Sequence, residues 1–216
     1  MLRVGLTGGL GAGKSTVARM LMERGAYVLY ADELGRELMQ PGQAVFESIV
    51  RQFGPGVVTP EGTLDRPALS KLAFAGGRLE ELNAIVHPAT IALQKERTDE
   101  IARRDPAAVV VVESALLFET KYGGPEGWRQ RFDKVVLVTA PEALRVERFA
   151  ERMGATDETR AALEAEARRR LAAQMPDVEK IPFCDYVLRN EGDLAALEAQ
   201  VEAMWQELRA AAGQNI

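Results

Sequence analysis

The sequence predicts an α/β protein built on a doubly wound, five-stranded parallel sheet. Three observations favour this fold class: short apolar segments without polar alternation, helical segments between them, and a glycine-rich turn between the first strand and the first helix. Strands covered by helices on both faces are continuously apolar, and parallel neighbours need a crossover that is usually a helix. The predicted strands span residues 2–7, 26–30, 107–114, 133–141 and 184–190.

The connections between these strands predict two helical excursions from one core. The segment 33–105 is far longer than an ordinary crossover and is punctuated by the turn signals "QPGQ", "FGPG" and "TPEGT". A second, charged segment precedes the fifth strand. We therefore expect a core of residues 1–32, 106–147 and 184–216, an inserted helical domain at 33–105 and a helical lid at 148–183. Within the insert, the dipeptide His87-Pro88 predicts a helix break.

The composition disfavours several kinds of partner. The 216-residue chain carries a formal net charge of −5, which argues against binding a nucleic acid, because such binding depends on neutralising phosphates. No signal peptide is visible, and no apolar stretch approaches the ~20 residues of a membrane span. The single cysteine, Cys184, excludes an intrachain disulfide and favours a reducing compartment. We expect a cytoplasmic protein, with a monomer as the favoured state, that binds neither nucleic acid nor membrane.

The stretch "GLTGGLGAGKST" at residues 5–16 contains the pattern GxxxxGK(S/T), formed by Gly8, Gly13, Lys14 and Ser15. It lies between a predicted strand and a predicted helix, which is the context of a phosphate-binding P-loop. Glycines let successive N–H groups face an anion, and the helix N-terminus adds positive potential. We expect Lys14 to reach the β- and γ-phosphates and Ser15 to coordinate Mg²⁺. A glycine-rich turn without a ligand is the alternative reading.

Three classes of P-loop protein compete for this pattern. A regulatory GTPase is suggested by the DxxG spacing from Asp32 to Gly35, but this lies too close to Lys14 for a switch loop, and the sequence contains no NKxD guanine reader. A motor or binding ATPase ordinarily shows paired acids after a Walker B strand, whereas "VVVVES" offers only Glu113. The third class, a kinase of small molecules, commonly has a nucleotide-binding core beside an acceptor domain and a closing lid.

Asp32 favours the kinase class. It follows the second strand, at the edge where doubly wound sheets bind ligands, and a carboxylate there can accept the proton of an attacking hydroxyl. A helix N-cap role for Asp32 is the alternative. Arginines of the second excursion fit the need to neutralise the transferring phosphate: Arg148 and Arg152, with Arg145, share one predicted helix face, and Arg168, Arg169 and Arg170 follow. For His87 a structural role at the helix break is favoured over catalysis.

With these residues assembled, the chain resembles the dephospho-coenzyme A kinase family over nearly its full length. The resemblance is carried first by "ADELGREL" at 31–38, "GTLDRPAL" at 62–69, "LNAIVHP" at 82–88 and "LLFE" at 116–119. It continues with "DKVVLVTAPE" at 133–142, "RFAERMG" at 148–154, Gln174 and "DYVLRNEG" at 185–192. Together with the P-loop, these segments in this order indicate a much smaller group of proteins than the P-loop alone does.

The resemblance implies transfer of the γ-phosphoryl group of ATP to the ribose 3′-hydroxyl of dephospho-CoA, the last step of coenzyme A biosynthesis. It implies a catalytic set of Asp32 as general base with Lys14 and the lid arginines Arg148 and Arg152. The ATP site it implies comprises Gly8, Gly11, Ala12, Gly13, Lys14, Ser15 and Thr16, with Asn190 and Gly192 near the adenine. Arg36, Arg66 and His87 would join Asp32 in binding the acceptor, and Glu113 would join Ser15 at Mg²⁺.

The chain departs from the family pattern at several positions. Tyr30 stands where a second aspartate is common in the family, so Asp32 is the single candidate for the base. Ala115 replaces a usual proline, and the lid between Arg152 and Gln174 is somewhat longer than typical. Two alternatives stay open from the sequence: a related nucleoside or metabolite kinase with another acceptor, and an ATP-binding regulator without catalysis.

Overall fold

The computed structural model describes residues 1–121 and 127–214. Its centre is a five-stranded sheet in which every neighbouring pair is parallel, in the order β2-β3-β1-β4-β5. The strands are β1 (Leu2–Thr7), β2 (Tyr27–Tyr30), β3 (Val109–Glu113), β4 (Lys134–Thr139) and β5 (Tyr186–Arg189). All five predicted strands are therefore confirmed, as is the parallel α/β fold. Because β3 lies between β1 and β2, Glu113 at its end stands between the glycine-rich loop and the end of β2.

The connections are helical. The helices are α1 (Lys14–Glu23), α2 (Ala31–Leu38), α3 (Ala44–Phe53), α4 (Arg66–Ser70), α5 (Leu79–Arg104), α6 (Glu142–Arg152), α7 (Arg160–Ala172), α8 (Asp177–Lys180) and α9 (Leu194–Gln214). Short 3₁₀ turns occupy Pro55–Val57, Gly127–Gln130 and Ile181–Phe183, and a π-helical turn, Lys71–Ala75, extends α4. In the described part of the chain, no helix is both long and apolar enough to cross a bilayer.

The largest hydrophobic core lies between the sheet and the helices α1 and α9. Val4, Leu6 and Val111 of the sheet pack there with Val17 and Leu197, all fully buried. Burial of each such side chain contributes about 1.5–3 kcal/mol. A smaller cluster, built on Val112, Leu117, Phe132 and Val135, contains the other face of the same strands. Helices α1 and α9 thus cover one face, and the other face is covered by the segments after β3 and before β4, with α5 beside β3.

The residues between β2 and β3 form a second helical core. Ile49 and Val57 are fully buried among side chains of α3, α4 and α5. The predicted break at His87-Pro88 is wrong, because α5 continues through Pro88 from Leu79 to Arg104. Proline inside a helix costs about 3 kcal/mol, since it removes one hydrogen bond. The packing of this long helix against α2 and α3 offsets that cost.

The third unit consists of α6 and α7, which close over the glycine-rich loop. Val146, Phe149 and Ala167 are buried between the two helices, and Leu10 of the loop packs against them. The predicted core–lid boundary at residue 148 falls inside α6, and the predicted core–insert boundary after residue 32 falls inside α2. Both helices therefore begin on the sheet and extend into the neighbouring unit.

Candidate active site

The loop between β1 and α1 wraps tightly against neighbouring backbone, which explains its glycines. Gly11 has φ +70° and Gly13 has φ +99°, a region that side chains other than glycine rarely adopt. A Cβ on Gly13 would overlap Nδ2 of Asn190, and one on Gly11 would overlap the backbone oxygen of Arg145. The loop is therefore fixed in shape by contacts with α6 and with the residue that follows β5, as a preformed anion nest needs.

Lys14 begins α1 and is folded over this loop. Its Nζ donates hydrogen bonds to the backbone oxygens of Gly8 (3.0 Å) and Gly9 (3.3 Å) and lies 3.8 Å from Oε1 of Glu113. Burial lowers the pKa of the Lys14 ammonium more than the charges of Glu113 and Asp32 raise it. Burial likewise raises the pKa of the Glu113 carboxyl, against the opposing effect of Lys14. The site thus holds a cation in a poorly solvated position, where an added anion is favourable.

Ser15 and Thr16 follow Lys14 in the first turn of α1. This turn contains no acidic side chain, so nothing within α1 neutralises the positive end of the helix dipole. Thr16 and Val17 donate their N–H groups to the oxygen of Gly13, while Ser15 is exposed at the loop surface. The helix start and the loop together present donors to an anion.

The residues present fit a magnesium ion that phosphate oxygens help to hold. Mg²⁺ in nucleotide sites typically takes one or two protein oxygens, with phosphate and water completing the octahedron. Ser15, the residue after Lys14, supplies a hydroxyl, and Glu113, whose Oε1 lies 3.8 Å from Nζ of Lys14, supplies a carboxylate. Across residues 1–121 and 127–214, no group of three or more His, Cys, Asp or Glu side chains is arranged to hold a metal without such help.

Asp32 lies in the first turn of α2, directly after β2 ends at Tyr30. The N-cap of α2 is Tyr30, so the alternative of an N-cap role for Asp32 is wrong. Its side chain is exposed, and its charge acts on both Lys14 and Glu113, raising the pKa of each. Asp32 therefore stands beside the glycine-rich loop, with its carboxylate open to solvent.

A cleft of about 300 Å³ opens beside Asp32, between α2, α5 and the segment after β3. Arg36, one turn after Asp32, and His87 of α5 line the same cleft. Nδ1 of His87 lies 3.1 Å from Oγ1 of Thr120, and burial lowers the pKa of the imidazole. Arg66 lines a separate polar depression with Met39 and Gln40. Of the four residues predicted to bind the acceptor, the structure thus brings three together.

The predicted lid arginines differ in their surroundings. Arg148 donates to both oxygens of Asn190, at 3.3 Å to the backbone and 3.2 Å to the side chain, and Nδ2 of Asn190 donates to the oxygen of Ala12. Arg152 is exposed beside the ring of Phe149, and its charge acts on Lys14. Gly192 is exposed in the turn after β5, with φ +113°. Arg148 and Arg152 therefore approach the loop from the same helix.

The remaining arginines of the lid have structural partners. Arg145 does not point outward with Arg152: its Nε donates to the oxygen of Ala140 (2.6 Å), and its Nη2 contacts Thr139 and Asp177. These contacts tie α6 to the end of β4 and to α8. The three consecutive arginines of α7 are exposed, with ion pairs to Glu164 and Glu166 of their own helix: Arg168, Arg169 and Arg170.

Several residues of the site were not predicted in these roles. Gln174 accepts a hydrogen bond from the N–H of Leu10 (3.0 Å), which fastens the lid to the loop. Lys180, fully buried, pairs with Glu119 at 2.8 Å and so joins α8 to the segment after β3. Arg131 lines the cleft beside Asp32. Gln174 was marked by the resemblance alone, whereas Arg131 and Lys180 carry no motif that would single them out.

Comparison with known proteins identifies the family. A family model described as dephospho-CoA kinase matches residues 2–196. The chain belongs to that family. A dephospho-CoA kinase of Moorella thermoacetica is 41% identical over 97% of this chain and 93% of its own length. One from Symbiobacterium thermophilum is 45% identical over 97% of this chain and 81% of its own length. The resemblance seen in the sequence is thereby confirmed.

Solved structures agree with the fold. The crystal structure of TT1252 from Thermus thermophilus is 36% identical, with a TM-score of 0.75, and the match covers 96% of this chain and 97% of that one. A dephospho-CoA kinase from Campylobacter jejuni, 22% identical, gives a TM-score of 0.67 over 97% and 98% of the two chains. At that identity the second match supports the fold alone.

Proposed function

We propose that the protein transfers the γ-phosphoryl group of ATP to the 3′-hydroxyl of the ribose of dephospho-CoA, giving coenzyme A and ADP. The observation that carries this proposal is the position of Asp32: an exposed carboxylate beside the Lys14 loop, at the mouth of a cleft large enough to admit a nucleotide ribose. Membership of the dephospho-CoA kinase family specifies the acceptor.

In this mechanism the protein supplies position and charge. The loop amides and Lys14 hold the β- and γ-phosphates, and Arg148 and Arg152 stabilise charge on the transferring group. The 3′-oxygen forms a bond to the γ-phosphorus as the bond to the β-phosphate oxygen breaks. Asp32 accepts the hydroxyl proton late in the reaction. Arg36 and His87 hold the acceptor in the cleft, and Arg66 binds a more distant part of it.

ATP is the proposed donor, with Asn190 and Gly192 beside its adenine. Ser15 and Glu113 are the proposed protein ligands of Mg²⁺, which would neutralise charge on the β- and γ-phosphates when bound. Removal of divalent ions with EDTA should abolish turnover, and added Mg²⁺ should restore it. Glu113→Gln should weaken Mg²⁺ activation more than ATP affinity. A cytoplasmic location and a monomeric state complete the proposal, and sedimentation of the purified protein tests the second.

The proposal is tested by ADP formation in the presence and absence of the acceptor. Dephospho-CoA should stimulate ADP release strongly, whereas its 3′-deoxy analogue should bind without turnover. Turnover with a different hydroxyl compound but not with dephospho-CoA would identify a kinase of another metabolite. ATP binding without turnover under any of these conditions would identify a non-catalytic regulator. Either result would overturn the proposal.

A further inference from the structure

Arg131 is a half-buried cation for which the described residues supply no counter-charge; its guanidinium carbon lies 5.1 Å from the centre of the Phe132 ring. It lies between the 3₁₀ turn Gly127–Gln130 and β4. Its Nη2 makes one long hydrogen bond to the oxygen of Leu117 (3.4 Å), and its Nε–H is buried without an acceptor. Among residues 1–121 and 127–214, no carboxylate lies within ion-pair distance of it, and burial alone lowers the pKa of the guanidinium.

Such an arrangement is costly unless a ligand completes it. A buried charge without a partner destabilises a fold by several kcal/mol, which is why buried arginines are ordinarily paired. Arg145, also part-buried, follows that rule through Asp177. The guanidinium of Arg131 instead lines the cleft that contains Asp32, and its charge acts on His87 within that cleft. An anion entering the cleft would therefore meet the guanidinium at Nη1, which makes no hydrogen bond within the described residues, whereas Nε is enclosed.

Arg131 also lines a second, larger cavity of about 530 Å³. Ile91, Gln94 and Arg131 are common to both cavities, so the two adjoin at these side chains. The floor of the second cavity is apolar, with Val110, Val112 and Phe132 of the sheet side. Its wall follows α5 from Pro88 to Asp99, roughly 16 Å of helix at 1.5 Å per residue. Arg3, Lys95 and Asp99 add charged groups beside this apolar floor, so the cavity can receive an extended chain that carries both apolar and polar groups.

We infer that Arg131 binds the pyrophosphate bridge of the acceptor and that the second cavity receives its pantetheine arm, an assignment that rests on the proposed function. Dephospho-CoA carries an adenosine, a pyrophosphate and a long amide-containing arm in that order. With the ribose at Asp32, the anionic bridge meets Arg131 at the junction, and the arm continues along α5. The junction then discriminates a coenzyme A precursor from simple nucleosides.

The first test compares Arg131→Met with Arg129→Met. Arg129 lies two positions earlier, is exposed and stacks on Trp128, so its removal takes away the same charge without touching either cavity. Arg131→Met should raise KM for dephospho-CoA ~10–100-fold, the effect of a charged hydrogen bond, with KM for ATP unchanged. Arg131→Lys should recover part of the loss. The same KM in the two methionine variants would overturn the inference.

The second test uses binding and does not need turnover. In calorimetry, 4′-phosphopantetheine should bind the wild-type protein and compete with dephospho-CoA, and Arg131→Met should weaken it by a similar factor. Ala92→Phe, at an exposed position of α5 that lines the second cavity, should weaken it while leaving adenosine binding unchanged. Absence of 4′-phosphopantetheine binding would overturn the inference even with an active enzyme. Binding of this probe by a protein inactive toward dephospho-CoA would refute only the proposed function.

Folding effects are separated by thermal unfolding. Because no charge of the described residues compensates Arg131, its replacement by methionine should leave the unfolding temperature unchanged or raise it. A purely structural role predicts the opposite: lower stability in both Arg131→Met and Arg131→Lys, with acceptor KM unaffected in the folded fraction. That pattern would contradict the assignment.

Discussion

At the scale of single residues, three charges around the glycine-rich loop depend on one another. Lys14 lies 3.8 Å from Glu113, and the charge of Asp32 acts on both. Burial lowers the pKa of the lysine and raises that of the glutamate, so both charges are less stable there than in water. A bound polyphosphate with its metal ion would give each of them a stronger partner. This coupling explains why the site is suited to a highly charged ligand.

Asp32→Asn tests the assignment of the base. We expect ATP affinity to be retained, while acceptor-dependent turnover falls ~10²–10⁴-fold, the usual contribution of general-base catalysis. Glu33→Gln is the matched control, because Glu33 is the next residue of the same helical turn and is also exposed. Steady-state kinetics of both variants provide the measurement. Full activity in Asp32→Asn would remove this carboxylate from the mechanism.

His87 makes stability depend on pH in a predictable direction. Because burial lowers the pKa of His87 in the folded state, the unfolded chain binds a proton more readily, starting near its ordinary pKa of 6.5. The free energy of unfolding should therefore decrease as the pH falls below about 6.5. Urea unfolding at pH 7.5 and 5.5 should show a smaller decrease in His87→Gln. An equal decrease in both proteins would show that other groups account for it.

At the scale of elements, two contacts hold the lid helices over the loop. Arg145 fastens α6 to the end of β4 and to Asp177. Gln174, which follows α7, accepts a hydrogen bond from the backbone N–H of Leu10 in the loop. Arg145 and Asp177 are distant in sequence, as are Leu10 and Gln174, and the second contact also uses a backbone N–H group. Residue spacing alone therefore did not reveal these contacts. The sequence correctly predicted that Arg145, Arg148 and Arg152 share one helix. Only the fold shows that Arg145 is already paired with Asp177.

Gln174→Ala should loosen the lid. The change leaves the part-buried N–H of Leu10 without its acceptor, at a cost of about 1–3 kcal/mol. We expect KM for ATP to rise several-fold, with a smaller change in KM for the acceptor. Gln206→Ala, on the exposed surface of α9, is the matched control. If KM for ATP in the two variants were the same, the contact would have no part in nucleotide binding.

The long helix α5 shows where local sequence rules fail. Proline was expected to end a helix at His87, but packing against α2 and α3 keeps one helix intact through that position. Asp32 gives a similar lesson, because α2 begins at Ala31, two residues earlier than an N-cap role for Asp32 requires, and the carboxylate therefore lies inside α2. Tertiary packing decides such boundaries, whereas the strands were predictable because a buried parallel sheet demands continuous apolar residues.

At the scale of the whole molecule, the sheet order brings distant segments to one edge. The loop after β1, Glu113 at the end of β3 and Asp32 after β2 all lie at the carboxyl ends of parallel strands, where doubly wound sheets bind ligands. The motif and its context predict a phosphate site at this edge, and that assignment stays a prediction. Arg131 was not predictable, since it belongs to no motif and becomes notable only through its burial and its place between two cavities.

The most direct test of the account is the position of the phosphate in the product. The wild-type protein, incubated with ATP, Mg²⁺ and dephospho-CoA, should yield ADP and one new phosphate monoester in equal amounts. In two-dimensional ¹H–³¹P NMR the new phosphorus should couple to the proton on C3′ of the ribose. Coupling to the C2′ proton, a phosphate on another part of the molecule, or release of inorganic phosphate without a new ester would contradict the central claim.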